Sequence, residues 1–373
     1  MKKSVFDQYT MKKLLYLLFF CFCSFQLKAQ TTNPQLITPL PSVLNESSGV
    51  EVNGCNSIWT HNDSGDSARI FNIDTLGNIL RILHLSIDTA FDCEESTQDS
   101  EGNFYIGDFG NNLQNRTNLR IYKIPNPDSL ISDTVFPEII NFSFSDQVLF
   151  PPPSAAQNFD CEAMFHFNDS LYLFSKNWGT SNYSKMYRLP DQPGDYVAEL
   201  LDSFNTGTWV TSADISPTGK TMILLSETRI WLFTEYTPGH FFDGYAQQLT
   251  MDYSQKEAVV FVDDSVVYIT DEFFLSVGGN LYSLNLASWI NALPDAIKQN
   301  EIDIYPNPAI NQLNIQFNNI PGEFTTEIFN ISGYLICHEN NNSTLNISDL
   351  EPGIYLLKIV TYEKAVFVKF IKS

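Results

Sequence analysis

One acidic motif recurs along the chain, and this internal repeat constrains the fold more than any other feature of the sequence. The segment FDCEESTQDSEGNFYIGDFGNN at 91–112 matches FDCEAMFHFNDSLYLFSKNW at 159–178. Weaker copies occupy 45–65, 210–233 and 256–274. Each copy contains an acidic residue, a first strand, a turn, a second strand rich in aromatic residues and a polar cluster. Such a repeat predicts one supersecondary unit per copy, packed against its neighbours.

Each repeat predicts a small antiparallel sheet, because period-2 alternation runs through most of 31–300 and helical periodicity is scarce. A third strand follows each copy and a fourth follows several of them. Four strands repeated five times predict an all-β fold, a five-bladed β-propeller. A degenerate sixth blade within 126–158 is the alternative. The last repeat lacks an evident fourth strand, so we expect residues 35–40 to complete its sheet and close the ring, which hides the edge strands.

Short strands of a different kind follow the repeats. Residues 302–373 contain about seven of them, separated by the turn signals at 321–322, 332–333 and 352–353, and this pattern predicts a small C-terminal β-sandwich. The β-propeller is therefore assigned to 31–285, a linker to 286–301 and the sandwich to 302–373.

This last segment resembles a known family. The stretches IYPNPAINQLNIQF, IFNISGYLI, LNISDLEPGIYLLKI and VFVKFIKS resemble the C-terminal sorting domain of type IX secretion (Por-type) cargo. The resemblance covers all of 302–373 and lies at the C-terminus. It implies that the type IX secretion machinery is a partner of this segment, and that the protein crosses the outer membrane to be released or attached to the cell surface.

The first thirty residues predict a signal peptide. Lys12 and Lys13 precede an apolar run at 14–25, and small residues suited to cleavage follow near 28–30. Met1 and Met11 are both candidate starts. The apolar run is too short to span a bilayer comfortably, so we expect cleavage and passage through the periplasm. Residues 1–30 therefore predict the first of the two export steps.

The charge of the chain excludes one class of partner. Against 21 Lys and Arg stand 43 Asp and Glu, a net charge of -22, and removal of residues 1–30 changes it to -26. Such a surface repels a phosphate backbone, which excludes nucleic acid. It attracts cations, including divalent metals.

Alignment of the repeats gathers part of this acid excess into two columns. At the starts of the first strands lie Glu46, Glu94, Glu162, Asp214 and Glu257. At the ends of the second strands lie Asp63, Asp108, Lys176, Glu227 and Asp271. Antiparallel pairing places both columns on one face, where we expect them to converge at the mouth of the central channel. The first column predicts a site for a hard cation, Ca²⁺; the alternative is that these carboxylates are structural latches.

The repeat motifs ESSG…WTHNDSGD, FDCEE…GDFGNN…R and DCEA resemble uncharacterised secreted propellers of the lactonase-like and TolB-like folds, and this resemblance implies a fold and leaves the activity open. One hypothesis is a surface module that binds a glycan, peptide or envelope component. Its candidate ligand-binding residues are Trp59, Asp63, Asp108 and Trp178. The alternative is a metal-dependent hydrolase of the lactonase or phosphoesterase type. There the same carboxylates hold the metal, and His61 and Glu162 are the candidate acid and base.

Overall fold

The computed structural model describes residues 30–54, 57–87, 92–290, 302–317, 324–330, 335–361 and 365–373. Two compact units divide the chain, one that ends at Asn285 and one that begins at Leu286. The predicted signal peptide, apart from Gln30, and positions 291–301 of the predicted linker lie outside the described residues. Within the described part, no helix has the length and apolar character needed to cross a membrane.

The first unit is built from strands. Up to residue 144 they are β1 (Gln30–Thr31), β2 (Gln35–Pro39), β3 (Ser47–Val52), β4 (Ile58–Asn62), β5 (Arg69–Ile73), β6 (Ile79–Leu85), β7 (Cys93–Gln98), β8 (Phe104–Asp108), β9 (Leu119–Ile124), β10 (Thr134–Val135) and β11 (Glu138–Phe144). The remainder are β12 (Asp160–Phe167), β13 (Ser170–Lys176), β14 (Tyr183–Pro190), β15 (Gly194–Asn205), β16 (Ser212–Ile215), β17 (Thr221–Leu225), β18 (Arg229–Thr234), β19 (Tyr245–Thr250), β20 (Lys256–Phe261), β21 (Val266–Asp271) and β22 (Asn280–Asn285). Short 3-10 helices occupy Ser42–Leu44, Pro127–Ser129, Ser154–Ala156 and Phe241–Asp243. The predicted all-β class is confirmed.

These strands form antiparallel units of four, which we call sheets 1 to 5. Their strand orders are β3-β4-β5-β6, β7-β8-β9-β11, β12-β13-β14-β15, β16-β17-β18-β19 and β20-β21-β22-β2. Sheets 2 and 3 are joined at their outer edges, where β11 pairs in parallel with β15. The first strands pack side by side in the cyclic order β3, β7, β12, β16, β20 and back to β3. They therefore surround a common axis.

The ring is closed by the N-terminal segment. Strand β2 pairs antiparallel with β22, with Leu36 opposite Tyr282, and the N–H of Leu40 continues this pairing to the carbonyl of Gly279 at 2.8 Å. This is the segment that we expected to complete the last repeat. Because β2 precedes sheet 1 and completes sheet 5, hydrogen bonds hold the two ends of the ring together.

The core of the first unit lies between neighbouring sheets. The cluster between sheets 2 and 3, for example, combines Tyr105 and Ile121 with Met164 and Leu173. Strand β8 is buried along its whole length, because adjacent sheets cover both of its faces. Burial of one large apolar side chain contributes roughly 1.5–3 kcal/mol. The aromatic second strands of the repeats are thus explained by packing between sheets.

The second unit begins with one helical turn, α1 (Ala287–Ile290). Its strands are β23 (Ile302–Tyr305), β24 (Gln312–Phe317), β25 (Phe324–Asn330), β26 (Leu335–Asn340), β27 (Thr344–Asn346), β28 (Gly353–Thr361) and β29 (Ala365–Lys372). They form two sheets, β23-β24-β27 and β26-β25-β28-β29. One hydrophobic cluster joins Leu313 of the first sheet to Leu357 and Phe370 of the second, so the two sheets share a core.

Candidate functional site

A β-bulge recurs at one level of the ring. In β3, β7, β12 and β20 one extra residue interrupts the pairing with the second strand, and these residues are Ser48, Glu94, Glu162 and Glu257. In sheet 4 the N–H of Thr211 donates to the carbonyl of Leu225, and Ser212 is the strand partner of the same Leu225. Two consecutive residues thus oppose one, which is the same irregularity. A bulge turns a side chain away from the normal alternation. We call the opening lined by these residues and their acidic neighbours the mouth.

Three carboxylates converge at the mouth. One oxygen each from Asp63, Asp92 and Glu94 lies within 4.8 Å of the other two. Burial, together with the charges of Asp63 and Asp160, raises the pKa of Asp92 to about 6. Glu94 is 5% exposed, and burial, then the charge of Glu162, raises its pKa well above the ordinary value. These three residues offer the oxygen atoms that a hard cation prefers.

A lysine stands among the carboxylates. The Nζ of Lys176 lies 3.2 Å from Oε2 of Glu162. Burial disfavours the charge of Lys176, but Glu162, Glu257 and Glu94 outweigh it and raise the pKa of the lysine. Burial still raises the pKa of Glu257 to about 8 despite this cation. One lysine therefore does not neutralise the group.

The remaining members of the predicted first column do not lie at the bulge position. Glu46 is exposed and precedes the bulge of its sheet by two residues, as Asp92 does in sheet 2, and its charge helps to raise the pKa of Asp63 and of Glu272. Asp214 lies further along its strand, where its Oδ2 accepts a hydrogen bond from the N–H of Phe261 at 2.6 Å. Its charge, after burial, raises the pKa of Glu51. Of the predicted metal ligands Glu94, Glu162 and Glu257 share the bulge position, whereas Glu46 and Asp214 do not.

The members of the predicted second column occupy two different positions, which are one residue apart along the second strand. Asp108 pairs with Cys93 and is completely buried, where it accepts from Nη2 of Arg116 at 2.7 Å and the hydroxyl of Tyr122 at 3.2 Å. Asp271 likewise accepts from the hydroxyl of Tyr282 at 2.9 Å. These two carboxylates are latches within their sheets, as the alternative interpretation of the columns supposed.

Three members of that column lie one residue beyond the latch position. They are Asp63, Lys176 and Glu227, and successive side chains of a strand point to opposite faces. The charges of Asp63 and Glu227 both raise the pKa of Glu272, which burial chiefly lifts to about 7. Glu272 follows Asp271 directly and belongs to the mouth, although the sequence alignment did not single it out. The signal that could have found it is its position next to a latch aspartate.

Two predicted site residues are enclosed by protein. Trp59 is 1% exposed and its Nε1 donates to Asp128 at 3.0 Å, so it packs between sheets 1 and 2. His61 is 2% exposed, and its Nδ1 lies 3.0 Å from the carbonyl of Asn62. Burial lowers the pKa of His61, which keeps the ring neutral.

Trp178 lies beside the mouth and is 37% exposed. Its Nε1 donates to Oδ2 of Asp160 at 2.5 Å. Its ring packs against that of Trp209 at a tilt of 42°, with centroids 4.4 Å apart, and the Nζ of Lys176 lies 5.7 Å from the Trp178 centroid. The tryptophan pair therefore borders the acidic group.

A further carboxylate crosses the centre of the ring. Glu95 of sheet 2 is 0% exposed, and its Oε2 accepts hydrogen bonds from the hydroxyl of Ser212 and from the N–H of Ala213, both in sheet 4. Burial raises the pKa of Glu95 well above its ordinary value, and its hydrogen bonds only partly oppose this. Sheets 2 and 4 are not neighbours in the ring, so the side chain spans the axis between them.

The arrangement can exchange protons for a cation. Carboxylates crowded in a partly buried opening either keep protons at neutral pH or take up a positive ion. Asp63, Asp92 and Glu94 could hold such an ion, with Glu162, Glu257 and Glu272 around them. Oxygen ligands of this kind fit Ca²⁺ better than zinc, which favours nitrogen and sulfur.

Comparison with known proteins identifies the C-terminal segment. Residues 303–373 match the secretion system C-terminal sorting domain (Por_Secre_tail), which confirms the resemblance of 302–373 to type IX secretion cargo. The domain indicates export by type IX secretion to the cell surface or the extracellular space, and implies an interaction with that machinery. No curated protein matches the chain.

Solved structures similar to the chain are β-proteins of several functions. A gluconolactonase-like protein matches at 12% identity over 66% of this chain and 76% of its own, with a TM-score of 0.40. The PQQ-bound aldose sugar dehydrogenase of Streptomyces coelicolor matches at 9% over 67% and 97%, with a TM-score of 0.40. The WD40 repeats of RRP9 match at 9% over 64% and 67%, with a TM-score of 0.35. At these identities none of the likenesses transfers an activity or a ligand to this chain.

Proposed function

We propose that this protein is a secreted or surface-displayed five-bladed β-propeller that holds Ca²⁺ at its mouth and binds an extracellular ligand there. The blades are sheets 1 to 5 within 31–285, and 302–373 is a small β-sandwich that directs export. In this proposal the cation is held by Asp63, Asp92 and Glu94. The convergence of these three side chains at one end of the ring is the observation that carries the proposal.

The energetic case rests on uncompensated charge. Like charges within a few ångströms destabilise the folded chain unless they are neutralised, and buried ions need partners. Lys176 supplies one positive charge, shared mainly between Glu162 and Glu257. Lys176 also acts on Asp63 and Arg116 acts on Asp92, but burial and the neighbouring carboxylates outweigh both cations. The cluster of Asp63, Asp92 and Glu94 therefore gains from a divalent ion. Extracellular calcium modules bind with Kd values of roughly 10⁻⁴–10⁻³ M, and we expect this range.

Binding is favoured over hydrolysis by the placement of the candidate catalytic residues. His61 is 2% exposed and its Nδ1 contacts a backbone carbonyl, which argues against a role as acid or base. Glu162 is paired with Lys176. Turnover of lactone, phosphate or aryl ester substrates that is lost with EDTA and in Glu162→Ala would instead favour the hydrolase.

The test is a calcium titration of the chelator-treated, full-length secreted protein by isothermal titration calorimetry at pH 7.5. We expect one site, and we expect Asp92→Asn and Glu94→Gln to weaken it at least tenfold. Asp169→Asn is the matched control, because Asp169 is an exposed turn carboxylate outside the mouth. Equal affinity in the mouth variants and the control, or no binding by the wild type, would refute the cation site.

A further inference from the structure

A groove beside the mouth is lined by tryptophan and small polar residues. It encloses about 220 Å³, and its lining includes Trp178, Trp209, Ser181, Asn182 and Thr208. The two tryptophans are 37% and 42% exposed. Exposed large apolar side chains that lie together commonly mark an interaction site. The groove is therefore a candidate binding site for a ligand that covers the two indole rings.

The indole rings are held in place by the protein. The Nε1 of Trp178 donates to Asp160 at 2.5 Å, and the Nε1 of Trp209 donates to the carbonyl of Asn177 at 2.8 Å. The rings are tilted by 42° to one another. Because both N–H groups are already bonded, the tryptophans offer a ligand their apolar ring surfaces. A surface fixed in this way loses little side-chain entropy on binding.

The loops that carry the tryptophans are braced as well. The side chain of Asn177 donates to the carbonyl of Tyr183 at 2.8 Å and accepts from the N–H of Gly179 at 2.8 Å. The N–H of Thr206 donates to the carbonyl of Asn182 at 3.0 Å, which ties the second loop to the first. The groove is thus formed before a ligand arrives.

Polar groups at the edge of the groove remain available to a ligand. Among the described residues, the side-chain amide of Asn182 and the hydroxyl of Thr208 have no protein partner in the hydrogen-bond network, and the hydroxyl of Ser181 accepts from Asn177 and keeps its own proton to donate. Sites for small ligands combine aromatic walls with a few such polar groups. Pockets for drug-sized ligands are larger, roughly 300–1,000 Å³, so this groove fits a single ring of a longer chain.

The position of Trp209 in the repeat links the groove to the mouth. Trp209 precedes the irregular position of sheet 4 by two residues, and Asp92 and Asp160 precede the bulges of sheets 2 and 3 by two. Sheet 4 therefore has an aromatic side chain at the position where sheets 2 and 3 have a carboxylate. A ligand that stacks on this sector would extend over the acidic group, with Lys176 at the border.

We propose that this groove binds one pyranose ring of a neutral carbohydrate chain by stacking on Trp178 and Trp209, with hydroxyl groups bonded to Ser181, Asn182 and Thr208. A sugar ring has an apolar face that matches an indole and a polar edge that matches amides and hydroxyls. The rival ligand for paired tryptophans is a proline-rich peptide, which needs fewer donors and acceptors around it. This proposal names the ligand class of the proposed function and rests on it for the location outside the cell.

The experiment measures quenching of tryptophan fluorescence in the full-length secreted protein on titration with cellohexaose, chitohexaose, mannohexaose and laminarihexaose. A decaproline peptide is titrated in parallel. We expect at least one hexasaccharide to bind, and Trp209→Ala and Asn182→Ala each to weaken it at least tenfold. Tyr245→Ala is the matched control, since Tyr245 is 44% exposed outside the groove. Asn182→Ala keeps the test informative if the tryptophan variant fails to fold.

Repeating the titration with the Asp92→Asn variant in EDTA separates this proposal from the cation site. Saccharide binding that persists there, with calcium binding lost, assigns the two ligands to separate residues. Binding of decaproline and of no hexasaccharide would overturn the carbohydrate assignment, as would saccharide affinity unchanged by both groove variants. Neither of these results would affect the calcium titration, so failure of one proposal is distinguishable from failure of the other.

Discussion

In the absence of calcium, the free energy of unfolding of the ring should fall as the pH rises. Glu257 has a pKa of about 8 in the folded chain against an ordinary value of 4.5, mainly because it is buried. A carboxyl with a raised pKa binds more protons in the folded state than in the unfolded state between these two values, so the free energy of unfolding falls as the pH increases. Each pKa unit corresponds to about 1.36 kcal/mol, and the shift sets an upper bound of roughly 5 kcal/mol. Because the side chain of Glu257 keeps some exposure to solvent, which weakens the effect, we expect roughly 2–5 kcal/mol.

Urea unfolding in EDTA at pH 5, 6, 7 and 8.5 measures this effect through tryptophan fluorescence. Wild-type protein should lose stability across the series, and Glu257→Gln, which imitates the protonated side chain, should lose less by this margin. Glu101→Gln, in an exposed turn, should follow the wild type. Calcium at 100 times its Kd should restore about 2.7 kcal/mol at pH 8.5. Stability that is flat or rises with pH, or a Glu257→Gln curve parallel to that of the wild type, would refute the reasoning.

Three further perturbations test other parts of the structure. Arg116→Ala removes the nearer of two cations from the completely buried Asp108 and leaves Arg120 at 3.7 Å, so it should cost roughly 1.5–3 kcal/mol in urea unfolding; a loss below about 1 kcal/mol would contradict the latch. Gly49→Ala would put a Cβ 2.3 Å from Nε2 of His61, and a drop of several degrees in Tm is expected. An unchanged Tm would speak against that packing. Deletion of 303–373 should retain the protein in the periplasm in cell fractionation, and its appearance on the cell surface would argue against the sorting role.

The repeat made the fold readable from the sequence because each unit has a strong local pattern. Alternation and turn residues predict the strands, and the missing fourth strand of the last repeat points to the N-terminal segment. Strand β2 does fill that place. Each of these features depends on residues close together in the chain or on a simple count of strands.

The site was harder to predict from the sequence than the fold, because it depends on the register of the strands. A shift of one residue moves a side chain to the other face of a strand, so Asp108 became a latch whereas Asp63 reached the mouth. The bulge adds one residue on one strand only, and no residue type announces it: Ser48 and Glu94 occupy the same position. The sequence alignment therefore placed Glu46 in the column of Glu94, whereas the structural counterpart of Glu94 in sheet 1 is Ser48.

Glu95 shows a different limit, since its partners in sheet 4 are 117 and 118 residues away. No pattern within a repeat indicates a bond across the ring. Such a contact follows from the number of sheets and from the diameter of the ring that they enclose. It becomes visible only when the closed ring is in hand.

The side chain of Glu95 also bears on how a ligand could approach the centre of the ring. Because Glu95 bonds to Ser212 and Ala213 on the far side of the ring, its side chain lies across the axis beneath the mouth. In the proposed function, a ligand bound at the mouth of the first unit is therefore expected to enter and leave on the same side of the ring.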